Sequence, residues 1–153
     1  MPPPPPTAAP ATPVVVLDTN AVLDWLWFAD HAIQPLATAV TRGACRWLQT
    51  DAMRDELRRV LAHRLPPRAG ADPAAVEAAC ARWARRIEAP PPCPLRCRDD
   101  DDQVFVDLAL AAGARWLVTR DRALLALRRR ALAHGTEIVT PAAWAAAATA
   151  RPT

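Results

Sequence analysis

Val14-Val15-Val16-Leu17-Asp18-Thr19-Asn20 is the stretch on which the fold turns. Four apolar residues in a row offer no polar face to water, so they read as a strand buried on both sides, the habit of a parallel sheet with helices over each face. Asp18 ends the run, and Asp, Thr and Asn are all residue types that open a helix. A strand that passes directly into a helix is the start of a βαβ arrangement.

The same alternation continues outward from this point. Helices are expected over residues 21–28 and 33–42, a strand over 46–49 and a helix over 52–64. After the break at Leu65-Pro66-Pro67 comes a helix over 73–88, with Asp72 as its cap and Pro73 at its first position. A second Pro cluster, residues 90–94, leads to a short extended piece near 95–98. Then follow helix 102–112 ended by Gly113, strand 115–119, helix 122–133, strand 137–139 and helix 141–148. Strand and helix alternate with no internal repeat, which predicts the α/β class with a parallel sheet covered on both faces.

The 153 residues suffice for one core and not for two. Residues 14–150 are expected to form that domain, and residues 1–13, rich in Pro, Ala and Thr, a disordered tail outside it. All nineteen basic residues are Arg, and Lys and Tyr are absent, which looks like coding bias. The net charge of +3 permits a polyanionic partner without indicating one. Cys45, Cys80, Cys93 and Cys97 lack the paired spacing of a zinc site. The start of the chain has neither the basic opening nor the apolar core of a signal peptide, and no segment is long enough to span a bilayer. A cytoplasmic location with reduced thiols is expected.

Four carboxylates stand where such a sheet offers places for chemistry. Asp18 follows the first strand, and Asp121 follows the run Trp116-Leu117-Val118-Thr119. Open α/β sheets build their sites just past the carboxyl ends of strands. Either acid alone is equally well explained as a helix cap. Asp102 lies one turn ahead of Phe105 on the stripe Phe105, Leu108, Ala109 and Ala112, whereas Asp99, Asp100 and Asp101 suffice for capping and Asp107 points to the opposite, solvent-facing side. Glu56 flanks the stripe Met53, Leu57, Val60 and Leu61, where it either leans toward the sheet or pairs with Arg59. Gathered in one cleft, these acids would repel one another unless a cation joined them. The donor set contains no His or Cys, which suits magnesium or manganese rather than zinc. Two such ions about 3.5 to 4 Å apart ionise a water and steady the leaving oxygen of a phosphodiester.

Leu17-Asp18-Thr19-Asn20, Glu56 on the third helix, the string from Cys97 through the acidic run to Phe105, and the string Ala111 to Asp121 together resemble the PIN domain family. Within it they look most like the bacterial toxin components of toxin-antitoxin systems related to VapC. The likeness reaches the closing Ile138-Val139-Thr140-Pro141. It implies a Rossmann-like three-layer α/β/α sandwich, magnesium- or manganese-dependent ribonuclease activity on RNA, a homodimer, and inhibition by a cognate antitoxin. Carried over by position, the catalytic and metal-binding acids are Asp18, Glu56, Asp102 and Asp121, with Asn20 and Thr119 as supporting polar groups. The acidic run passes into Gln103-Val104, where relatives often carry another polar or acidic residue, so Asp101 stays open beside Asp102 as a ligand. Arg42, Arg46, Arg120, Arg122 and Arg128-Arg129-Arg130 are candidates for phosphate contact, Arg120 and Arg122 foremost.

Other chemistries lack their residues. A phosphate-receiver domain needs a Lys, and this chain has none. A haloacid-type phosphatase needs Asp where Asn20 stands, and dinucleotide binding needs a Gly-rich turn after the first strand. His31, His63 and His134 have no Ser or Cys partner at readable spacing and are expected at the surface, while the six Trp are expected in the core or a subunit interface. The alternative function is a catalytically silent PIN-like module that binds RNA or a protein.

Overall fold

Strand β1 (Val14–Leu17) is the central strand of a five-stranded, wholly parallel sheet in the computed structural model, which describes residues 1–3, 11–63, 65 and 70–150. On one side lie β2 (Arg46–Gln49) and β3 (Ala84–Arg86), on the other β4 (Trp116–Val118) and β5 (Glu137–Val139), in the order β3-β2-β1-β4-β5. Val15 pairs with Trp47 on one flank and Trp116 on the other. The chain thus builds outward from β1 to β3, then returns past β1 to add β4 and β5. Such a reversal leaves a crevice at the carboxyl ends of the two strands that flank it, here β1 and β4.

Side-chain alternation along the strands sorts the core into two layers. Val15, Leu17, Trp47, Trp116 and Val118 face one side, while Val16, Leu48, Leu117 and Ile138 face the other. The first layer is covered by α1 (Thr19–Leu26), α2 (Gln34–Thr41), α3 (Asp51–His63), α4 (Pro73–Trp83) and α8 (Pro141–Ala150). The second is covered by α5 (Gln103–Ala111), α6 (Arg122–Leu125) and α7 (Arg128–Ala133). Fully buried side chains such as Leu117 and Leu124 contribute about 2 kcal/mol each by leaving water. This is the expected three-layer α/β/α sandwich. Among the described residues, no helix is long and apolar enough to cross a membrane.

Three expected elements differ. The helix expected over 73–88 ends at Trp83, and Ala84–Arg86 pairs with β2 as the sheet's edge strand. Three residues with Arg85 and Arg86 exposed carry no strand periodicity, so only the unpaired edge of β2 reveals them. Residues 95–98 form no strand and are held by side chains described below. The helix expected over 122–133 divides between Leu125 and Arg128, and the bond from Leu127 N–H to Leu124 O marks the step. Leu124, Leu127 and Ala131 all reach the core across that step. Arg64, Pro66, Pro67 and residues 4–10 of the expected Pro-rich tail lie outside the described residues.

Candidate active site

The crevice between β1 and β4 opens into a cleft of about 410 Å³ whose wall carries Asp18, Glu56, Asp102 and Asp121, with Asn20 between them. These acids come from four separate parts of the chain. Asp18 ends β1 and caps α1, its Oδ1 accepting from Ala21 N–H at 2.8 Å. Its Oδ2 accepts from the Thr119 hydroxyl, and that hydroxyl in turn accepts from Asp121 N–H at 2.9 Å. Fully buried Thr119 therefore ties the ends of the two strands together. Asp121 caps α6 through Oδ1, which accepts from Ala123 and Leu124 N–H.

Capping and site-building are thus the same act for Asp18 and Asp121. A carboxylate has about four acceptor positions, so one cap fixes its orientation and leaves lone pairs for the cleft. Asp102 behaves differently. It ends a 3-10 turn (Asp100–Asp102), makes no side-chain cap, and its buried Oδ2 meets no N–H or hydroxyl donor, while its carboxyl, when protonated, donates to Asp121. Asp99 caps that turn by accepting from Asp101 N–H. Glu56 reaches the cleft from α3 and also lines a neighbouring cavity with Asp101. Asp101 itself is exposed and stands on that second cavity, so it is Asp102 that shares the cleft with Asp18 and Asp121.

Burial pushes the Asp102 carboxyl up to about 7, and the charges of Asp121, Asp99 and Asp18 add to the effect. Burial raises Asp18 to about 6 against the hydrogen bonds from Thr119 and Ala21, with Asp121 and Asp24 pushing the same way. These are the marks of carboxylates short of positive charge. Among the described residues, no three His, Cys, Asp or Glu side chains are close enough to form a cage by themselves. A magnesium-sized ion keeps several waters and needs only one or two carboxylates, so an all-oxygen donor set with one buried carboxylate oxygen that no N–H or hydroxyl serves fits it.

A stability effect follows from the two raised acids. Unfolded, both would lose their protons near pH 4, whereas the folded chain holds them until about pH 6 to 7. Over that window the native state binds more protons than the unfolded one, so their contribution to stability falls as pH rises. Thermal melting in chelator should show the decline, and manganese should suppress it. A manganese effect equal at both ends of the window would contradict the coupling.

The residue after Asp102 does work that its sequence position did not announce. Buried Gln103 accepts from Cys97 N–H at 2.7 Å and donates to Leu95 O at 2.9 Å and Asp107 Oδ1 at 2.8 Å. Asp107 Oδ1 also accepts from Cys93 N–H at 2.9 Å. Asp107 is therefore buried, not solvent-facing as its helix position suggested, because the 93–97 segment lies over that side of α5. Burial alone would raise its carboxyl, but the bonds from Cys93 and Gln103 outweigh it and hold it below the ordinary range.

A third cavity, about 570 Å³, adjoins the cleft and shares Asn20, Leu23, Phe28 and Asp121 with it. Arg98, Arg120 and Arg122 line it. Arg120 is already held by buried Asp24 and by Asp30, with its side chain 56% exposed. Neither Arg98 nor Asp24 drew attention in the sequence, the first lying in a loop and the second among the apolar residues of α1. Arg42 and Arg46 sit at the opposite, amino-terminal edge of the sheet, and Arg128 and Arg129 line a separate cavity beside β5.

The family model for the PIN domain matches residues 14–123, from the first residue of β1 through the start of α6. No curated protein sequence matches. Among solved structures, the chain resembles one from the crystal structure of VapBC2 from Rickettsia felis bound to a DNA fragment from their promoter, with TM-score 0.60 and 12% identity, covering 83% of this chain and 98% of that one. At that identity the likeness speaks for the fold, while the family match spans every acid of the cleft, and the chain belongs to the PIN domain family.

Proposed function

We propose that the protein is a divalent-metal-dependent endoribonuclease of the cytoplasm, the toxin of a toxin-antitoxin pair. The observation that carries this reading is the meeting of Asp18, Glu56, Asp102 and Asp121 on one cleft wall at the sheet's reversal point, with a buried Asp102 oxygen left without an N–H or hydroxyl donor. Asp18, Asp102 and Asp121 would hold magnesium or manganese in part through waters, with Glu56 lining the same cleft, and Asp101 would serve the neighbouring cavity. When bound, such an ion polarises a phosphoryl oxygen and lowers the pKa of water. Asn20, exposed on the cleft wall, supplies a neutral donor to the phosphate. Thr119 keeps Asp18 and Asp121 in register, and Arg122, with the exposed part of Arg120, receives the RNA backbone.

Likeness to a chain of the VapBC2 assembly supports a protein partner, an antitoxin that would block this cleft. Homodimerisation rests on the family resemblance. The deciding experiment incubates the purified protein with a panel of structured RNAs in manganese and in chelator. Discrete products in manganese alone support the reading. RNA retention with no products in either condition would instead favour the silent binding module.

A further inference from the structure

Phe28 is one of three large hydrophobic side chains exposed among the described residues, at 41%. It stands on the wall shared by the acid cleft and the adjoining cavity, which is lined by Arg98, Arg120 and Arg122 and also by Asp24, Asp99 and Asp121. Its neighbours Trp25 and Trp27 turn away: Trp25 packs on Trp47 with ring centroids 5.3 Å apart, and Trp27 is buried. The end of α1 sets this division. Trp27 and Phe28 N–H both reach Leu23 O, Ala29 takes φ +50, and Asp30 N–H closes back on Asp24 O at 2.8 Å. The closing bond joins residues six apart, one more than the 6→1 bond of a Schellman helix end, with Ala29 in the left-handed seat that Gly or Asn ordinarily fills. This turn directs an aromatic ring to the cleft edge.

The same cavity carries Arg98 and Arg122, and among the described residues neither is in an ion pair. Arg120 is partly committed to Asp24 and Asp30, so Arg98 and Arg122 are the less committed cations for an incoming anion. An aromatic face next to guanidinium groups, one step from a phosphodiester-cleaving centre, matches the chemistry of one nucleotide: a base for the ring, a phosphate for the arginines. A base paired in a duplex cannot offer its face to a side chain.

We infer that Phe28, Arg98 and Arg122 form a subsite for an unpaired nucleotide flanking the scissile phosphate, with its base on Phe28 and its phosphate on the arginines. The inference rests on the ribonuclease reading for the location of the cut, yet it is testable by binding alone.

The test titrates the full-length protein into a short fluorescein-labelled single-stranded RNA and into the same strand annealed as a blunt-ended duplex, reading anisotropy, and compares Phe28→Ala, Phe28→Trp and Arg122→Ala. Expected is a loss of about five- to hundredfold in single-strand affinity for Phe28→Ala, recovered in Phe28→Trp, with duplex binding unchanged. Arg122→Ala should lower the slope of log affinity against log salt by about 0.7. In wild-type protein, an abasic residue next to the mapped cut should raise KM as Phe28→Ala does, and the two changes should not add. Unchanged affinity in Phe28→Ala, or additive losses, overturns the subsite while cleavage by wild type leaves the nuclease reading standing. Phe28-dependent binding without cleavage does the reverse. Absence of any RNA binding overturns both.

Discussion

Asp18→Asn is expected to lower the rate of RNA cleavage by about a thousandfold or more while leaving the fold intact and the metal-free protein more stable above neutral pH. The two halves of this result have one cause. Asp18 is 3% exposed, and burial in company with Asp121 pushes its carboxyl up to about 6. At higher pH the folded chain must carry a charge there that it would shed if it could, which costs about 2 to 3 kcal/mol in the absence of a cation. Asn keeps the cap, since its oxygen accepts from Ala21 N–H as Asp18 does, and Asn is an equally good capping residue. It removes the charge and therefore the penalty, while its amide donates to the Thr119 hydroxyl, whose own lost acceptor costs about 1 kcal/mol and leaves a net gain. The same substitution removes the donor charge that a hard cation needs. Measured together, cleavage in manganese and melting temperature in chelator should move in opposite directions. A variant that is inactive and also less stable would mean that Asp18 is structural, and an active one would end its assignment as a ligand.

How far the sequence discloses this site depends on whether a residue's partners are local. Asp18 and Asp121 were legible because each ends an apolar run and starts a helix, a pattern contained in about six neighbouring residues that topology then brings together. Asp102 was legible from its alignment with Phe105 on α5, and the structure separates it from Asp101 by placing the two on different cavities. The parallel sheet followed from the same alternation, while its strand order did not, nor did β3, where three residues pair because an edge was vacant and not because of their own pattern. Asp107 shows the limit most clearly. Helical periodicity puts it on the solvent side, and nothing in α5 reveals that residues 93–97 would fold back over it. Phe28 and Arg98 were hidden likewise, since an exposed ring or a loop arginine takes meaning only from the cavity it borders.

The fold also reconciles two demands that compete in the sequence. Helix starts want a carboxylate, and so does a hard cation, and at Asp18 and Asp121 one side chain meets both. Asp102 has no such second duty, which leaves its position dependent on the loop that leads into it. That loop is fastened by Gln103 and Asp107, and the placement of the third acid is delegated to them.

Gln103→Glu should therefore be among the most damaging isosteric changes in the chain. The amide at 103 both accepts, from Cys97 N–H, and donates, to Leu95 O and Asp107 Oδ1. A carboxylate of the same shape retains the first bond and forfeits the other two, then sets its charge against Asp107 inside the protein. Unsatisfied buried polar groups cost about 1 to 3 kcal/mol each, more for charged ones, so a loss of about 3 to 5 kcal/mol is expected, a large part of a domain's net stability. Gln103→Leu should lose a comparable amount by stranding the same partners, but the two variants part company with pH. Protonated, Glu at 103 regains a donor hydrogen, so the melting temperature of Gln103→Glu should climb toward wild type as pH is lowered from about 8 to about 5, while Gln103→Leu gains no such recovery. Catalysis should fall in both, because Asp102 is the adjacent residue and loses its anchored loop. Equal pH profiles for the two variants, or full cleavage by a destabilised Gln103→Glu protein, would show that the clamp neither depends on the amide's donors nor positions the third acid.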